Sequence, residues 1–381
     1  MKIKSQLQLN RRKFLIATFG TGFALAGPLR GFGQSGPVVQ TVAGTGIAGY
    51  EPEGVSGLPG TETLVNNPYG VVVGPDGALY FCEVDTGRTR RLHLESGRLS
   101  TVAGNGEKAY AGDGGSAMEA SFSAPHEIRF DAQGNLYLVE RDAHVVRKVD
   151  AATGVVSTVA GTGEAGFGGD GGAANRAQLR QPHSIAFDVD GNLLICDIGN
   201  SRLRMVNMNT GLIHTLSGTG ERVATPDTGP LAGTPLLGPR SIDTDNQGNA
   251  YLVLREGNAV FRLDIRGNRL QRIAGTGERG YGGDGGPALQ ATFNGPKGIA
   301  YSASDHSLYI VDTENHVIRR MNLNSGILDT VLGNGERGDG PDGDPLGCKL
   351  NRPHGVFVHE GIVYVTDSES HRVRAISGLL G

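Results

Sequence analysis

A proline placed just before a short apolar run recurs along this chain at a constant interval of 57 residues. Each interval holds four short stretches of strand-forming residues separated by turns, and 62 of the 381 residues are glycine. Six such units predict six small antiparallel sheets of four strands each. The repeated prolines are Pro68, Pro125, Pro182, Pro239, Pro296 and Pro353.

The second strand of each unit indicates how the sheets are arranged. It is apolar at successive positions in most copies, as in Leu79 to Cys82, so both of its faces must be covered. The sheets therefore stack on one another, and a circle of stacked sheets leaves only short edges exposed. The sequence predicts an all-β fold, a six-bladed β-propeller with four-stranded antiparallel blades.

The two ends of the repeat region predict how the ring closes. The last unit begins at Pro353 and contains only three strands. The segment Gln40 to Gly46 matches a fourth strand, Ser100 to Gly106, although it precedes the first unit. We expect this N-terminal strand to complete the last blade, so that the propeller domain extends over residues 38–381.

The first 26 residues resemble a signal peptide of the twin-arginine type. Arg11 and Arg12 open an apolar stretch, Phe14 to Ala26, that ends in small residues and is too short to span a bilayer comfortably. We predict export to the periplasm or the extracellular space, a linker at 27–37, and no stable membrane insertion. Without residues 1–26 the chain carries 30 basic and 39 acidic residues, a balance that argues against nucleic-acid binding.

An acidic residue ends the second strand in five units, and an arginine follows seven residues later in the same five. In the fourth unit both are lost together, to Leu254 and Phe261, which favours direct contact between the two positions. We predict an ion pair in each of the other blades; a ring of carboxylates that binds Ca²⁺ is the alternative. The pairs are Glu83 with Arg90, Glu140 with Arg147, Asp197 with Arg204, Asp312 with Arg319, and Asp367 with Arg374.

Residues 182–204 carry the features that connect the repeat to a known family. The proline opens the unit, and the second strand ends in Asp197, seven residues before Arg204. This pattern resembles the NHL repeat. The segment Thr158 to Gly163, followed by Gly-Asp-Gly-Gly at 169–172, resembles the subtype of teneurin propellers and of exported bacterial propellers. The resemblance implies a six-bladed fold, and it leaves the function open among protein binding, RNA binding and a metal-dependent lyase site.

Gly-Asp-Gly-Gly recurs at 112–115, 169–172 and 283–286, between the outer strand of one blade and the proline of the next. We interpret these segments as turns in which the carboxylate accepts from nearby backbone N–H groups. A Ca²⁺ site would need several oxygen ligands together, whereas each loop supplies about one carboxylate.

Other histidines and the cysteines are interpreted as structural. One set of histidines shares the turn between the second and third strands, and we expect these side chains to be solvated. They are His144, His316 and His371. The three cysteines lack metal-binding and disulfide spacings and are predicted to be buried, inert thiols. They are Cys82, Cys196 and Cys348.

The residue after each repeat proline enters the innermost strand, which lines the central channel of a propeller. None of these six residues is apolar, and they differ from blade to blade, as expected of a site rather than of a scaffold contact. We predict that they form the ligand-binding site, and we call them the channel ring. They are Tyr69, His126, His183, Arg240, Lys297 and His354.

Three histidines in the channel ring raise the possibility of zinc, which can take three His ligands and keep a fourth position open. A lyase of the NHL family carries metal histidines in Pro-His motifs, which His126, His183 and His354 resemble. Arg240 and Lys297 in the same ring would oppose a divalent cation. A metal site, a polar pocket for an anionic or sugar-like ligand, and a channel without a ligand remain as alternatives.

These observations predict an exported, monomeric propeller that binds a protein partner or a small ligand at the channel mouth. The alternative is a metal-dependent lyase or hydrolase. In it, His126, His183 and His354 would hold the metal, and Arg240 or Lys297 would stabilise negative charge.

Overall fold

The computed structural model of the protein describes residues 36–52 and 57–379. These residues form six antiparallel sheets of four or five strands, which confirms the six-bladed β-propeller. Each innermost strand contacts those of the blades before and after it, and the last contacts the first, so the ring is closed. The predicted signal peptide at 1–26 lies outside the described residues.

The first three blades share one order of strands, which runs from the channel outwards. Blade 1 consists of Pro68–Val73, Leu79–Glu83, Arg88–His93, Arg98–Ala103 and the edge strand Leu58–Pro59. Blade 2 consists of Pro125–Phe130, Leu136–Glu140, Val145–Val149 and Val156–Ala160. Blade 3 consists of Pro182–Phe187, Leu193–Asp197, Arg202–Asn207 and Leu212–Ser217.

The remaining three blades follow the same order. Blade 4 consists of Pro239–Thr244, Asn249–Leu254, Ala259–Asp264, Arg269–Ala274 and the edge strand Thr228–Pro230. Blade 5 consists of Gly298–Ser302, Ser307–Asp312, Val317–Asn322, Ile327–Leu332 and the edge strand Gly286–Pro287. Blade 6 consists of Val356–His359, Ile362–Asp367, Arg372–Ser377 and Val38–Ala43.

Helices in the described ranges are single 3₁₀ turns, and none of them is long and apolar enough to span a membrane. They are Gly60–Glu62, Ala174–Arg176, Ile198–Asn200, Ala288–Gln290, Thr313–Asn315 and Ser368–Ser370.

The N-terminal strand completes the last blade, as predicted. Val38–Ala43 pairs antiparallel with Arg372–Ser377, with Val38 opposite Ser377 and Thr41 opposite Arg374. The side chain of Val39 is fully buried among residues of blades 5 and 6. The strand therefore removes an open edge and also contributes to the core between two blades.

The hydrophobic core lies between neighbouring blades rather than at one centre. One cluster joins Leu194 and Cys196 of blade 3 to Leu252 of blade 4, and another joins Cys82 of blade 1 to Leu138 of blade 2. The three cysteines are buried and free, as predicted, and burial raises the pKa of each thiol. Both faces of the second strand are covered because each sheet lies between two others.

The five predicted ion pairs are present inside the blades. Their nitrogen–oxygen distances run from 2.7 Å in Glu83–Arg90 to 3.8 Å in Asp312–Arg319, and the paired side chains are at most 1% exposed. In blade 4, Leu254 and Phe261 fill the same positions and are equally buried. The structure thus gives no support to the Ca²⁺ alternative, because the carboxylates face arginines.

The Gly-Asp-Gly-Gly segments form turns, but the predicted role of their carboxylates is wrong. Gly112 and Gly114 have positive φ angles of 95° and 82°, which explains the glycines. The carboxylate of Asp113 reaches out of its turn to Arg147 at 2.7 Å and accepts from Thr158 Oγ1 at 2.7 Å. Asp170 and Asp284 make the equivalent contacts in blades 3 and 5. Each aspartate therefore ties its loop to the buried arginine of the blade that follows.

The turn histidines are not simply solvated, contrary to the expectation. The Nδ1 atoms of His144, His316 and His371 each accept from a backbone N–H of the next blade, at 3.1, 3.2 and 3.1 Å. The donor is always the residue before the repeat proline, for example Gln181 or Asn67. An unprotonated Nδ1 therefore joins adjacent blades at three of the six junctions.

Candidate functional site

The structure brings the channel ring together around the axis of the propeller. The Tyr69 ring stacks on His354 with centroids 3.9 Å apart and meets the edge of His126 at 4.7 Å. His126 meets His183 at 4.8 Å. Lys297 Nζ lies 3.5 Å from His354 Nε2. Burial has the largest effect on the pKa values of Tyr69, His126 and His183, because it raises the first and lowers the other two, and the nearby charge of Arg240 lowers all three.

The local backbone explains why these side chains point inwards. The residue before each repeat proline has a positive φ angle, between 48° and 74°. In blades 1 to 4 the strand register also shifts just after the proline, as between Pro182 and Ile185. Such an irregularity turns a side chain away from the regular alternation of a strand. Lys297 and His354 precede their innermost strands, which begin at Gly298 and Val356.

The three histidines of the channel ring are neutral, and their protons can be located. Burial, reinforced by the charge of Arg240, lowers the pKa of His126 and His183 well below the usual 6.5. His126 Nδ1 lies 2.8 Å from the carbonyl oxygen of Ala124, and His183 Nδ1 lies 2.7 Å from that of Gln181. A carbonyl can only accept, so the single proton is on Nδ1 and the Nε2 lone pair is free to accept.

His354 has the same tautomer for a different reason. Its Nδ1 lies 3.0 Å from Ser368 Oγ, and that hydroxyl donates to the carbonyl oxygen of Pro68 at 2.5 Å. The hydroxyl proton is therefore engaged, and His354 Nδ1 donates to Oγ. His354 Nε2 is left to accept from Lys297 Nζ.

Arg240 differs from the other cations of the site. Its side chain is 5% exposed, and among the described residues it has no hydrogen bond and no ion pair. Burial lowers its pKa to about 10. The five other deeply buried arginines of the blades, such as Arg147 and Arg204, all face carboxylates. Arg240 is thus a largely buried cation that forms no ion pair within the described protein, although the carboxylate of Glu127 acts on it at longer range.

Lys297 is held by an acidic residue at the channel mouth, the end of the channel where the ring lies. Its Nζ is 2.8 Å from Glu314 Oε1, and burial lowers its pKa to about 8. Burial opposes ionisation of Glu314, but ion pairs with Arg352 and Lys297 lower the pKa of its carboxyl to about 2. Arg352 also binds Glu369 at 2.6 Å. A cavity of about 220 Å³ opens beside this network. It is lined by Arg255, Glu256, Asn258, Arg279, Gly295 and Glu314.

Two charged residues next to the channel ring were not predicted from the sequence. Glu127 and Arg129 follow His126 on the innermost strand of blade 2, are nearly buried, and form an ion pair at 2.6 Å. The sequence does set Glu127 apart, because the equivalent position is glycine or serine in every other unit. The charges of Glu127 and Asp243 both act on Arg129, and the charge of Glu127 also acts on Arg240, although Glu127 forms no ion pair with Arg240.

The channel ring does not fit a three-histidine metal centre. Within residues 36–52 and 57–379, no three side chains of His, Cys, Asp or Glu are grouped as a metal ion requires. Tyr69 stands between His126 and His354, and Lys297 donates to the Nε2 atom that His354 would use. The geometry therefore favours a polar pocket over a metal-dependent site.

Comparison with known proteins agrees with the repeat pattern. A sequence model of the NHL repeat matches residues 350–376. NHL repeat-containing protein 2 of Gallus gallus is 24% identical over 325 residues, which cover 77% of this chain and 44% of that protein. Teneurin-3 of Mus musculus is 27% identical over 391 residues, which cover 90% of this chain and 14% of that protein. The chain thus carries an NHL repeat and is similar to NHL-repeat proteins over most of its length.

Solved structures resemble this NHL-repeat protein in fold. One is an auxiliary nutrient binding protein from Bacteroides thetaiotaomicron VPI-5482, with a TM-score of 0.65 and 17% identity. The superposition covers 90% of this chain and 77% of that one. The chain spans less than half the length of the curated relatives it matches. These likenesses agree with the propeller that the structure shows, and the ligand must be argued from the channel ring.

Proposed function

We propose that this NHL-repeat propeller is a monomeric, exported binding protein that captures a small ligand through an anionic group at the channel mouth. The observation that supports the proposal is the guanidinium of Arg240, which is buried without a partner among the described residues. A desolvated cation is costly unless an anion pairs with it. Arginine is also well suited to bidentate recognition of a carboxylate or phosphate.

The depth of the ring favours a small ligand over a folded protein partner. His126, Arg240, Lys297 and His354 are each at most 5% exposed, so only a narrow chemical group can reach them. Neighbouring positive groups add to the attraction of an anion, since Lys297 and Arg141 both influence the pKa values of the ring histidines. The similarity in fold to an auxiliary nutrient binding protein is consistent with ligand capture. The twin-arginine-type segment at 1–26 supports capture outside the cytoplasm.

The test is calorimetric titration of the full chain with inorganic phosphate, acetate and galacturonate. We expect measurable binding of at least one anion, and we expect Arg240→Met to weaken it by tenfold or more, the equivalent of about 1.4 kcal/mol. Arg262→Met is the matched control, because Arg262 is an exposed arginine on the third strand of the same blade. Equal binding by wild type and Arg240→Met would contradict the proposal, as would the absence of binding by all three anions.

A further inference from the structure

The ring presents two unused hydrogen-bond acceptors beside its unpaired cation. Nδ1 of His126 and Nδ1 of His183 donate to backbone carbonyls of their own strands, at 2.8 and 2.7 Å. The Nε2 atoms of both rings have no hydrogen-bond partner among the described residues. The two rings touch edge to face with their centroids 4.8 Å apart, so both acceptors belong to the same part of the channel.

The order of groups around the channel is set by the blades. His126 belongs to blade 2, His183 to blade 3 and Arg240 to blade 4, so two acceptors are followed by a cation. A bound group that satisfies all three must therefore carry an anion with hydrogen-bond donors next to it. A ligand with an anion alone would leave both acceptors without a donor, which weakens its binding.

The donors on the ligand should be uncharged. An ammonium group could also donate to Nε2, but the charges of Arg240, Arg141 and Lys297 already act on the ring, where they add to the lowering of the histidine pKa values by burial. A second cation among these groups would be repelled. Hydroxyl groups donate without adding charge, and stacked aromatic rings such as Tyr69 and His354 can pack against the carbon skeleton of a sugar.

We propose that the ligand is a polyhydroxylated carboxylate of the sugar-acid class, with its carboxylate on Arg240 and two hydroxyls donating to Nε2 of His126 and of His183. This inference rests on the proposed function, since it names the chemistry of the ligand at the same site. The repeat itself creates the arrangement, because each blade contributes the residue that follows its repeat proline.

The experiment compares three classes of probe on the full chain by calorimetric titration. The sugar acids are galacturonate, glucuronate and gluconate; galactose has hydroxyls without the charge, and cyclohexanecarboxylate has the charge without hydroxyls. We expect at least one sugar acid to bind tenfold or more tightly than both of the other probes. Equal binding of cyclohexanecarboxylate and the sugar acids would overturn this inference and leave the proposed function standing. Failure of every anion to bind would overturn both.

A pair of variants tests the histidines directly. Replacing both acceptors, His126→Phe with His183→Phe, keeps two rings of similar shape and removes Nε2. The preference for a sugar acid over cyclohexanecarboxylate should then fall towards one, while cyclohexanecarboxylate binding changes by less than threefold. The control is His214→Phe on the outer strand of blade 3. An unchanged preference in the double variant would refute the assignment, and if that variant does not fold, the probe comparison on the wild-type chain decides.

Discussion

Asp227 and Arg272 form a two-point ion pair at the outer edge of blade 4, with Nε–Oδ1 and Nη2–Oδ2 distances of 2.7 Å. In blade 3 the equivalent loop residue, Asp170, instead binds the buried Arg204 and the hydroxyl of Thr215. Blade 4 has thus lost its buried cation to Phe261 and gained a cation on the outer strand. The loop carboxylate keeps an arginine partner in both arrangements.

Further changes accompany this exchange in blade 4. The acid that ends the second strand becomes Leu254, and the aromatic residue that covers the buried arginine, Phe167 in blade 3, corresponds to Ala224. In blade 3 the carboxylate of Asp197 accepts from the backbone N–H of Arg180. In blade 4 the equivalent N–H belongs to Leu237, and it donates to the hydroxyl of Thr225. Blade 4 therefore has an apolar interior in place of the buried ion pair, and its ion pair lies at the outer edge.

Transferring this alternative to blade 3 gives the first prediction. Asp197→Ala should destabilise the protein by about 3–5 kcal/mol, because it leaves the guanidinium of Arg204 buried without its inner partner. Asp197→Leu with Arg204→Phe should recover part of the loss. Adding Thr215→Arg should recover more, since the new arginine can pair with Asp170. Urea unfolding monitored by circular dichroism measures each step.

The control places the same outer-strand change in an unmodified blade. Thr215→Arg alone should not stabilise the protein, because Asp170 is already paired with Arg204. If the triple variant is no more stable than the double variant, the exchange between Arg204 and Arg272 does not explain blade 4.

The repeat explains which features could be predicted from the sequence. The 57-residue spacing identifies equivalent backbone positions in the six units. From these positions one can infer the blades, the N-terminal strand of blade 6, the five ion pairs and the position of Tyr69 next to His126. The partners of Asp113 and His144 could not, because these contacts run to side chains or N–H groups far along the chain, 45 and 37 residues away. Local turn chemistry explains an aspartate in such a segment equally well. One feature of the sequence did point to the partners of the aspartates. The fourth unit has Phe261 in place of the repeated arginine and carries Arg272 on its outer strand instead.

The histidine junctions lead to a second prediction. His144→Ala should cost about 1–3 kcal/mol, because the N–H of Gln181 loses its acceptor and a residue with φ of 58° is replaced by one that tolerates it poorly. His144→Asn should stay within about 0.5 kcal/mol of wild type, because asparagine tolerates positive φ and offers an acceptor. Asn258 already bridges blades 4 and 5 in this way, accepting from Gly295 at 3.0 Å. Equal losses in both variants, measured by chemical unfolding, would show that the bridge has no energetic role.

The same junction should respond to acid. Burial lowers the pKa of His144 from 6.5, so below pH 6.5 the unfolded chain takes up a proton that the folded protein resists. The stability that His144 contributes is therefore present above pH 6.5 and is lost as the pH falls. The stability difference between wild type and His144→Asn should shift against wild type between about pH 7.5 and pH 5, in parallel unfolding series. A constant difference over this range would contradict the prediction.

Lys297 should give ligand binding a dependence on alkaline pH. Its pKa is lowered to about 8, so its positive charge is lost as the pH rises from about 7 to 9, and attraction of an anion weakens with it. We expect the affinity for a sugar acid, whose carboxylate keeps its charge throughout, to fall by about tenfold over that range. Lys297→Arg should flatten the profile, because arginine stays charged throughout. Parallel profiles for the two proteins would exclude Lys297 as the titrating group.

The N-terminal strand should decide whether the ring is stable. Deleting residues 1–43 removes Val38–Ala43, exposes the edge of Arg372–Ser377 and uncovers the core around Val39, so we expect loss of cooperative unfolding or a large drop in melting temperature. The comparison is a chain that begins at Gly27, which retains the strand and lacks the predicted signal peptide. It should melt like the full chain and bind the same anions. If both truncated chains melt at the same temperature, the strand does not close the propeller in solution, and the position of His354 next to Tyr69 would need another support.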